Sequence, residues 1–450
     1  MFADYARVLF NNFGDRVKFW ITINEPWVVA HHGYETGDHA PGRKGVGYSA
    51  GHNLIRSHGR VYNIYRDYYQ KKQKGMVGIT YSHRLGEPYN KGSQADIDAA
   101  ERFNQFYLGW FANPIFGNGD YPDVMKWQVG NKSVEQGYKS SRLPEFTTEE
   151  KAMLKGSADF LGYNFYTENL IQASKSPLTP AGYETDLDVI QIKEPCWKRT
   201  GSEWLRVTPW ALRRGLNWLK SHYNNFPVYI TENGVSDNTG TTSDHHRVDF
   251  YREYINEVLK AIRIDGCDVR GYTAWSFLDN FEWMRGYSEH FGLHHVNFSD
   301  PERPRTPKLS ASYFRSIIEN NGFLKYGNST GQRNNYNITC HTNTAPEVST
   351  DATFKSSKMP QSSTGQTVVT EMAEKSTVQV SASKSSVQVP ASKSTIQVLA
   401  SKRTEKSTIP TVATKKPVNK VTTPENKSSA TDLNALYVII LFSIIFILGY

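Results

Sequence analysis

The chain predicts an α/β fold built on a parallel, barrel-type sheet, and two observations carry that expectation. Apolar runs rich in β-branched residues recur between longer segments of helical period from residue 1 to about 322. Strands that alternate with helices in this way argue for βαβ units. Two of the strand-like runs, more than two hundred residues apart, end in a glutamate followed at once by a turn former. A parallel α/β barrel presents its chemistry at the carboxyl ends of its strands.

Taken in order, the chain opens on a helix-like segment from Met1-Phe2-Ala3-Asp4. A strand over Lys18–Asn24 then delivers Glu25 in front of Pro26. Helical periodicity over Gly51–Gln70 leads to a strand over Gly75–Ser82. A second helical stretch, Ile97–Phe111, precedes a strand over Asp159–Thr167. Pro209–Tyr223 reads as helix, and Pro227–Thr231 as the strand that delivers Glu232 ahead of Asn233-Gly234. Arg247–Ile264 reads as helix and Val269–Phe277 as a strand. That makes five strands, not the eight of a closed barrel.

Aromatic residues make up 13% of the chain, a content that serves a large core and also suits stacking on the flat C–H faces of sugars. The net charge of +8 does not signal nucleic acid. From Phe323 onward the chain has 14 Lys and Arg against 7 Asp and Glu, which leaves a near-neutral 38 against 37 before it. Cys196, Cys267 and Cys340 cannot all pair within the chain and show no Cys-x-x-Cys spacing, so neither a disulfide framework nor a zinc site is expected. The adjacent pairs His31-His32 and His294-His295 would point to opposite faces of a strand. No metal and no other cofactor is expected. His245-His246 reads as a solvated loop, and Trp20, Trp110 and Trp218 as core.

The organisation changes after residue 322. Residues 323–430 read as a disordered Ser/Thr/Lys-rich stalk, within which a nine-residue repeat begins at Lys375, Lys384 and Lys393. Residues 431–450 read as a hydrophobic membrane anchor. The stretch from Ala435 is uncharged but shorter than the about 20 residues of a spanning helix, so a cleaved lipid-anchor signal and a single span both remain open. Glycosylation acceptors at Asn131, Asn297, Asn328, Asn337 and Asn426 point to the outer face of the plasma membrane. No secretory signal precedes Asp4, which reads as a missing amino end.

Two strand-end carboxylates are what a retaining glycosidase needs, one as acid/base and one as nucleophile, about 5–5.5 Å apart. Thr22-Ile23-Asn24-Glu25-Pro26 and Ile230-Thr231-Glu232-Asn233-Gly234 resemble the corresponding motifs of glycoside hydrolase family 1, the β-glucosidases, myrosinases and lactase-phlorizin hydrolases. So do Gly51-His52-Asn53-Leu54, Gly119-Asp120-Tyr121-Pro122 and Trp275-Ser276-Phe277-Leu278-Asp279-Asn280-Phe281-Glu282-Trp283. The resemblance runs from about Phe2 to Phe323.

This resemblance implies a (β/α)8 TIM barrel of which only about strands 4–8 are present. It also implies roles for individual residues. Glu25 is the acid/base and Glu232 the nucleophile. Asn24 binds the sugar 2-hydroxyl, and Tyr166, in Asn164-Phe165-Tyr166, hydrogen-bonds the nucleophile. Trp275 is the platform under the sugar, and Glu282 and Trp283 bind its outer hydroxyls. A tyrosine O–H donated to Glu232 should keep it ionised while Glu25 carries the raised pKa. The implied ligand is a small β-glucoside or β-galactoside. The glutamine and His-Trp pair of the family's first three strands have no counterpart. Glu289-His290-Phe291-Gly292 has histidine where the family usually has arginine. The rival readings are a klotho-like binding protein without catalysis and an inactive truncated product. Klotho-like modules lose one or both glutamates and this chain keeps both, which favours an enzyme ancestry.

Overall fold

The computed structural model describes residues 1–323. The stalk, the repeat, the hydrophobic carboxyl-terminal segment and three of the five glycosylation acceptors lie outside the described residues. No helix among the described residues is long and apolar enough to cross a membrane.

Five strands run parallel in one curled sheet: β1 (Phe19–Asn24), β2 (Met76–Pro88), β3 (Phe160–Ala173), β5 (Val228–Asn233) and β6 (Val269–Ala274). Their spatial order follows the chain, β1-β2-β3-β5-β6. A sheet of this kind, with helical crossovers between consecutive strands, is an arc of a barrel wall. The expected five strands are all present. β2 and β3 run six residues further than expected, because β4 (Val189–Ile192) folds back antiparallel onto the far end of β3. β4 and the short antiparallel pair β7 (His294–Val296) and β8 (Arg305–Pro307) escaped the sequence reading. Runs of three or four residues carry too little periodicity to register.

Each parallel ladder breaks register near the carboxyl ends of its strands: between Ile21 and Asn24, His83 and Leu85, Tyr163 and Asn164, and Ile230 and Asn233. Such irregularities bend the strand and redirect side chains. They fall where Asn24, Asn164 and Glu232 stand; the β5–β6 ladder has one further break, between Val228 and Tyr229 at its amino end.

Helices cover the outer face of the sheet. Gly215, on the helix Pro209–His222, lies against the Tyr163 hydroxyl, 2.3 Å from where a Cβ would stand. Any side chain there would lift the helix off β3. The helix expected over Ile97–Phe111 begins earlier, because Ser93 caps it by accepting from the Asp96 amide. It then opens into a π-helical turn over Gln105–Gly109 before resuming as Trp110–Phe116.

Three local expectations are corrected. His31 and His32 sit on the π-helical turn Val29–Thr36, not on a strand. His245 and His246 open the helix His245–Arg263 instead of lying in a loop, with Arg247 reaching back to Asp244. Cys196 takes part in a disulfide, whereas Cys267 is a buried free thiol. Trp110 is core as expected. Trp20 and Trp218 are only half-buried, packed at the edges of the two apolar clusters.

Candidate active site

Asn24 is the last residue of β1, and Glu25 follows in the left-handed region at φ 52° and ψ 61°. Pro26 fits the first position of the helical turn that comes next, since its missing N–H would have no intrahelical acceptor there. The Glu25 amide still donates to Thr80 O of β2 at 2.8 Å. Strand pairing and the turn thus fix the backbone on both sides of this carboxyl.

Across the sheet, Asn164 and Tyr166 are two residues apart on β3 and share one face. Asn164, fully buried, donates to Glu25 Oε1 at 2.9 Å and to Asn24 Oδ1 at 3.1 Å. Asn24 in turn donates to Glu232 Oε1 at 3.4 Å. Tyr166 donates its O–H to Glu232 Oε2 at 2.7 Å. The result is a single hydrogen-bonded path, Glu25–Asn164–Asn24–Glu232–Tyr166, that spans β1, β3 and β5.

Glu232 is 6% exposed and stands one residue before the end of β5. Asn233 is tied down by its own amide donating to Phe165 O at 2.6 Å and by the Tyr272 O–H at 2.6 Å. Gly234 is required sterically: a Cβ there would fall 1.8 Å from the Trp275 carbonyl oxygen. Trp275 follows β6, is half-buried against the core, and donates its amide to Asn233 O at 2.9 Å.

Electrostatics departs from the expected split. Burial holds Glu25 above the usual carboxylate range, against the Asn164 hydrogen bond and the Arg84 charge. Glu232 lies well above that range too. Burial is the first cause and the Glu25 charge the second, opposed by Tyr166, Asn24 and Asn164. The Tyr166 hydrogen bond therefore does not by itself keep Glu232 at an ordinary carboxylate pKa. The two carboxyls titrate as a pair that resists double ionisation. With one proton on the pair, the charge is better accommodated on Glu232, which accepts from Tyr166 and Asn24 where Glu25 accepts from Asn164 alone. Burial also keeps the Tyr166 phenol protonated as a donor.

Glu282 and Trp283 lie in the stretch after β6, where Trp283 opens a short 3-10 turn. Glu282 is half-buried, with its pKa raised to about 7 by burial and by the charges of Glu289 and Glu25. Its field reaches both Glu25 and Tyr166, which places it beside the same site. Trp283 is 45% exposed and stacks on His39 with centroids 4.3 Å apart and planes 7° from parallel.

Two contributors were missed. Thr231 donates to Asn164 Oδ1 at 2.5 Å and so fixes which end of that amide faces the carboxyls; it immediately precedes Glu232, which is the signal that was available. Arg84 acts on Glu25 from the register break of β2. Its only signal was a cation at a strand's carboxyl end.

Comparison with known proteins bears on this geometry. The family described as "Glycosyl hydrolase family 1" matches residues 1–323. Human lactase/phlorizin hydrolase is 47% identical over 325 residues, which is 72% of this chain and 17% of that protein. Human lactase-like protein is 46% identical over 328 residues, 72% of this chain and 58% of its own length. The chain thus spans less than two thirds of these relatives. Among solved structures, aphid myrosinase matches with TM-score 0.67 and 41% identity, over 71% of this chain and 69% of that one. A rice β-glucosidase mutant in a covalent complex with Glc matches with TM-score 0.66 and 38% identity, over 70% and 69%. Five parallel strands, two linked glutamates at their carboxyl ends and a match over every described residue lead to one assignment: the chain belongs to glycosyl hydrolase family 1.

Proposed function

We propose that this chain carries the two catalytic carboxylates of a retaining β-glycosidase that acts on β-glucosides or β-galactosides. The observation that carries the proposal is the path joining Glu25 to Glu232 through Asn164 and Asn24, with Tyr166 donating to Glu232 at 2.7 Å. Glu232, as the better-donated carboxylate, attacks the anomeric carbon. Glu25, carrying the shared proton, gives it to the departing oxygen. The glycosyl–Glu232 ester removes one negative charge, so Glu25 next accepts a proton from water as that water cleaves the ester. The two carboxyls end as they began. Asn24 sits between them, where a sugar hydroxyl next to the anomeric carbon would lie. The covalent Glc complex of the rice relative supports an ester intermediate of this kind. Catalysis by this route draws on no metal or organic cofactor.

Stereochemistry tests the reading. Joined to the three strands that the family places before β1, the chain should release its sugar first as the β-anomer, and NMR of the earliest product distinguishes the anomers. An initial α-anomer would mean a single displacement by water, with Glu232 acting as a base.

A further inference from the structure

A second group of chemistry-bearing side chains lies apart from the carboxylate pair. Asp279 and His290 flank the stretch that carries Glu282 and Trp283, and His295 sits on β7. His290 Nδ1 is 3.3 Å from Asp279 Oδ2, and His295 Nδ1 is 3.4 Å from the same oxygen. All three atoms lie within 4.8 Å of one another. Each is buried, and none makes a hydrogen bond. Asp279 is only 3% exposed, and its other oxygen is already engaged by the Gly292 amide at 2.8 Å and Lys308 Nζ at 2.9 Å.

The distances separate two explanations. A charge-assisted N–H···O bond is shorter, about 2.7–2.9 Å, and nearly linear. Here two nitrogens approach one oxygen at longer range, and neither is aligned as a donor. Ligands of a tetrahedral ion with bonds of 2.0–2.1 Å stand about 3.3 Å apart, which is the separation found on both sides of Asp279.

We propose that Asp279 Oδ2, His290 Nδ1 and His295 Nδ1 bind a zinc ion, with water as the fourth ligand. Two imidazoles and a carboxylate are a nitrogen–oxygen set that suits this metal. The surrounding charge admits it. Asp237, Asp244 and Asp279 bring three negative charges against the two of Arg247 and Lys308, which are paired with them. His295, with a side chain 32% exposed, leaves an entry path. The ion would clamp both ends of the stretch 279–290 to β7 and so hold Glu282 and Trp283 in position. The other converging group, His32, Asp38 and His39, offers no comparable set. His32 already meets both Asp38 oxygens at 3.0 Å, and His39 is stacked under Trp283.

The test uses the full chain joined to the three strands that the family places before β1, stripped with a chelator, reloaded with zinc and dialysed before elemental analysis. The wild type should keep about one zinc per chain, and cobalt in its place should give the visible bands of a four-coordinate site. The double variant H290Q/H295Q should bind at least about tenfold more weakly, whereas H32Q should bind as the wild type does. X-ray absorption at the zinc edge of the wild type should show nitrogen and oxygen neighbours with two imidazoles, a reading that does not depend on either variant folding. A wild type that keeps no zinc, an edge spectrum without imidazole, or loss of zinc from H32Q but not from H290Q/H295Q would overturn the assignment.

Discussion

Replacing Glu232 by alanine should lower turnover of every substrate by about 10⁴–10⁶-fold, the range seen when a nucleophile that acts within a unit is removed. The measurement requires the chain joined to the three strands that the family places before β1. The loss should be chemical and not structural. Glu232 is a buried carboxyl whose pKa is raised by burial and by Glu25, so deleting it relieves repulsion, and the melting temperature should hold or rise. Added azide should enter the space left on the Glu232 side and restore turnover with an α-glycosyl azide as product. Glu25→Ala should behave differently. Substrates whose leaving group departs without a proton should retain most of their first-step rate, while those with poor leaving groups should fail. Equal losses for both classes would refute Glu25 as the acid.

The chain on its own should self-associate and show no measurable hydrolysis of aryl β-glucosides. Among the described residues, β1 pairs only with β2 and β6 only with β5. Each therefore presents a row of unpaired N–H and C=O groups along its outer edge. All six residues of β1 are half-buried and none is charged, so no exposed charge shields that edge; five of the six in β6 are half-buried, and the exposed sixth, Arg270, is paired with Asp268. The family resemblance also assigns sugar-gripping side chains to strands before β1, and residues 1–450 tested on their own do without that contribution to transition-state binding. Sedimentation of the chain with and without those strands tests this directly. A monomer that melts cooperatively and hydrolyses substrate would show that the five-strand sheet makes an autonomous site.

Much of this architecture was legible in the sequence for a plain reason. β-branched runs such as Trp20-Ile21-Thr22-Ile23 commit to strands locally, and a turn former behind each glutamate marks where the strand stops. Asn24, Asn164 and Tyr166 were legible through motifs, and the structure gathers them around Glu25 and Glu232. What escaped depends on distance through space. The raised pKa of Glu232 comes from burial and from a charge that is 207 residues away in sequence. Thr231 looked like strand filler until its hydroxyl met Asn164 on the next strand. The adjacent His294 and His295 drew attention as a pair, yet it is His290, across a turn from His295, that converges with it on Asp279.

The most direct test of the two-carboxylate account is to trap the intermediate. A 2-fluoro β-glucoside with a good leaving group forms the glycosyl ester but slows its hydrolysis, because fluorine destabilises the cationic transition state of both steps and the activated leaving group rescues only the first. Incubated with the chain joined to the three strands that the family places before β1, it should inactivate with a stoichiometry of about one. Peptide mass analysis should then place the sugar on Glu232, within Ile230-Thr231-Glu232-Asn233. Label on Glu25, or turnover of ordinary substrates by a protein that never accumulates an adduct, would contradict the account.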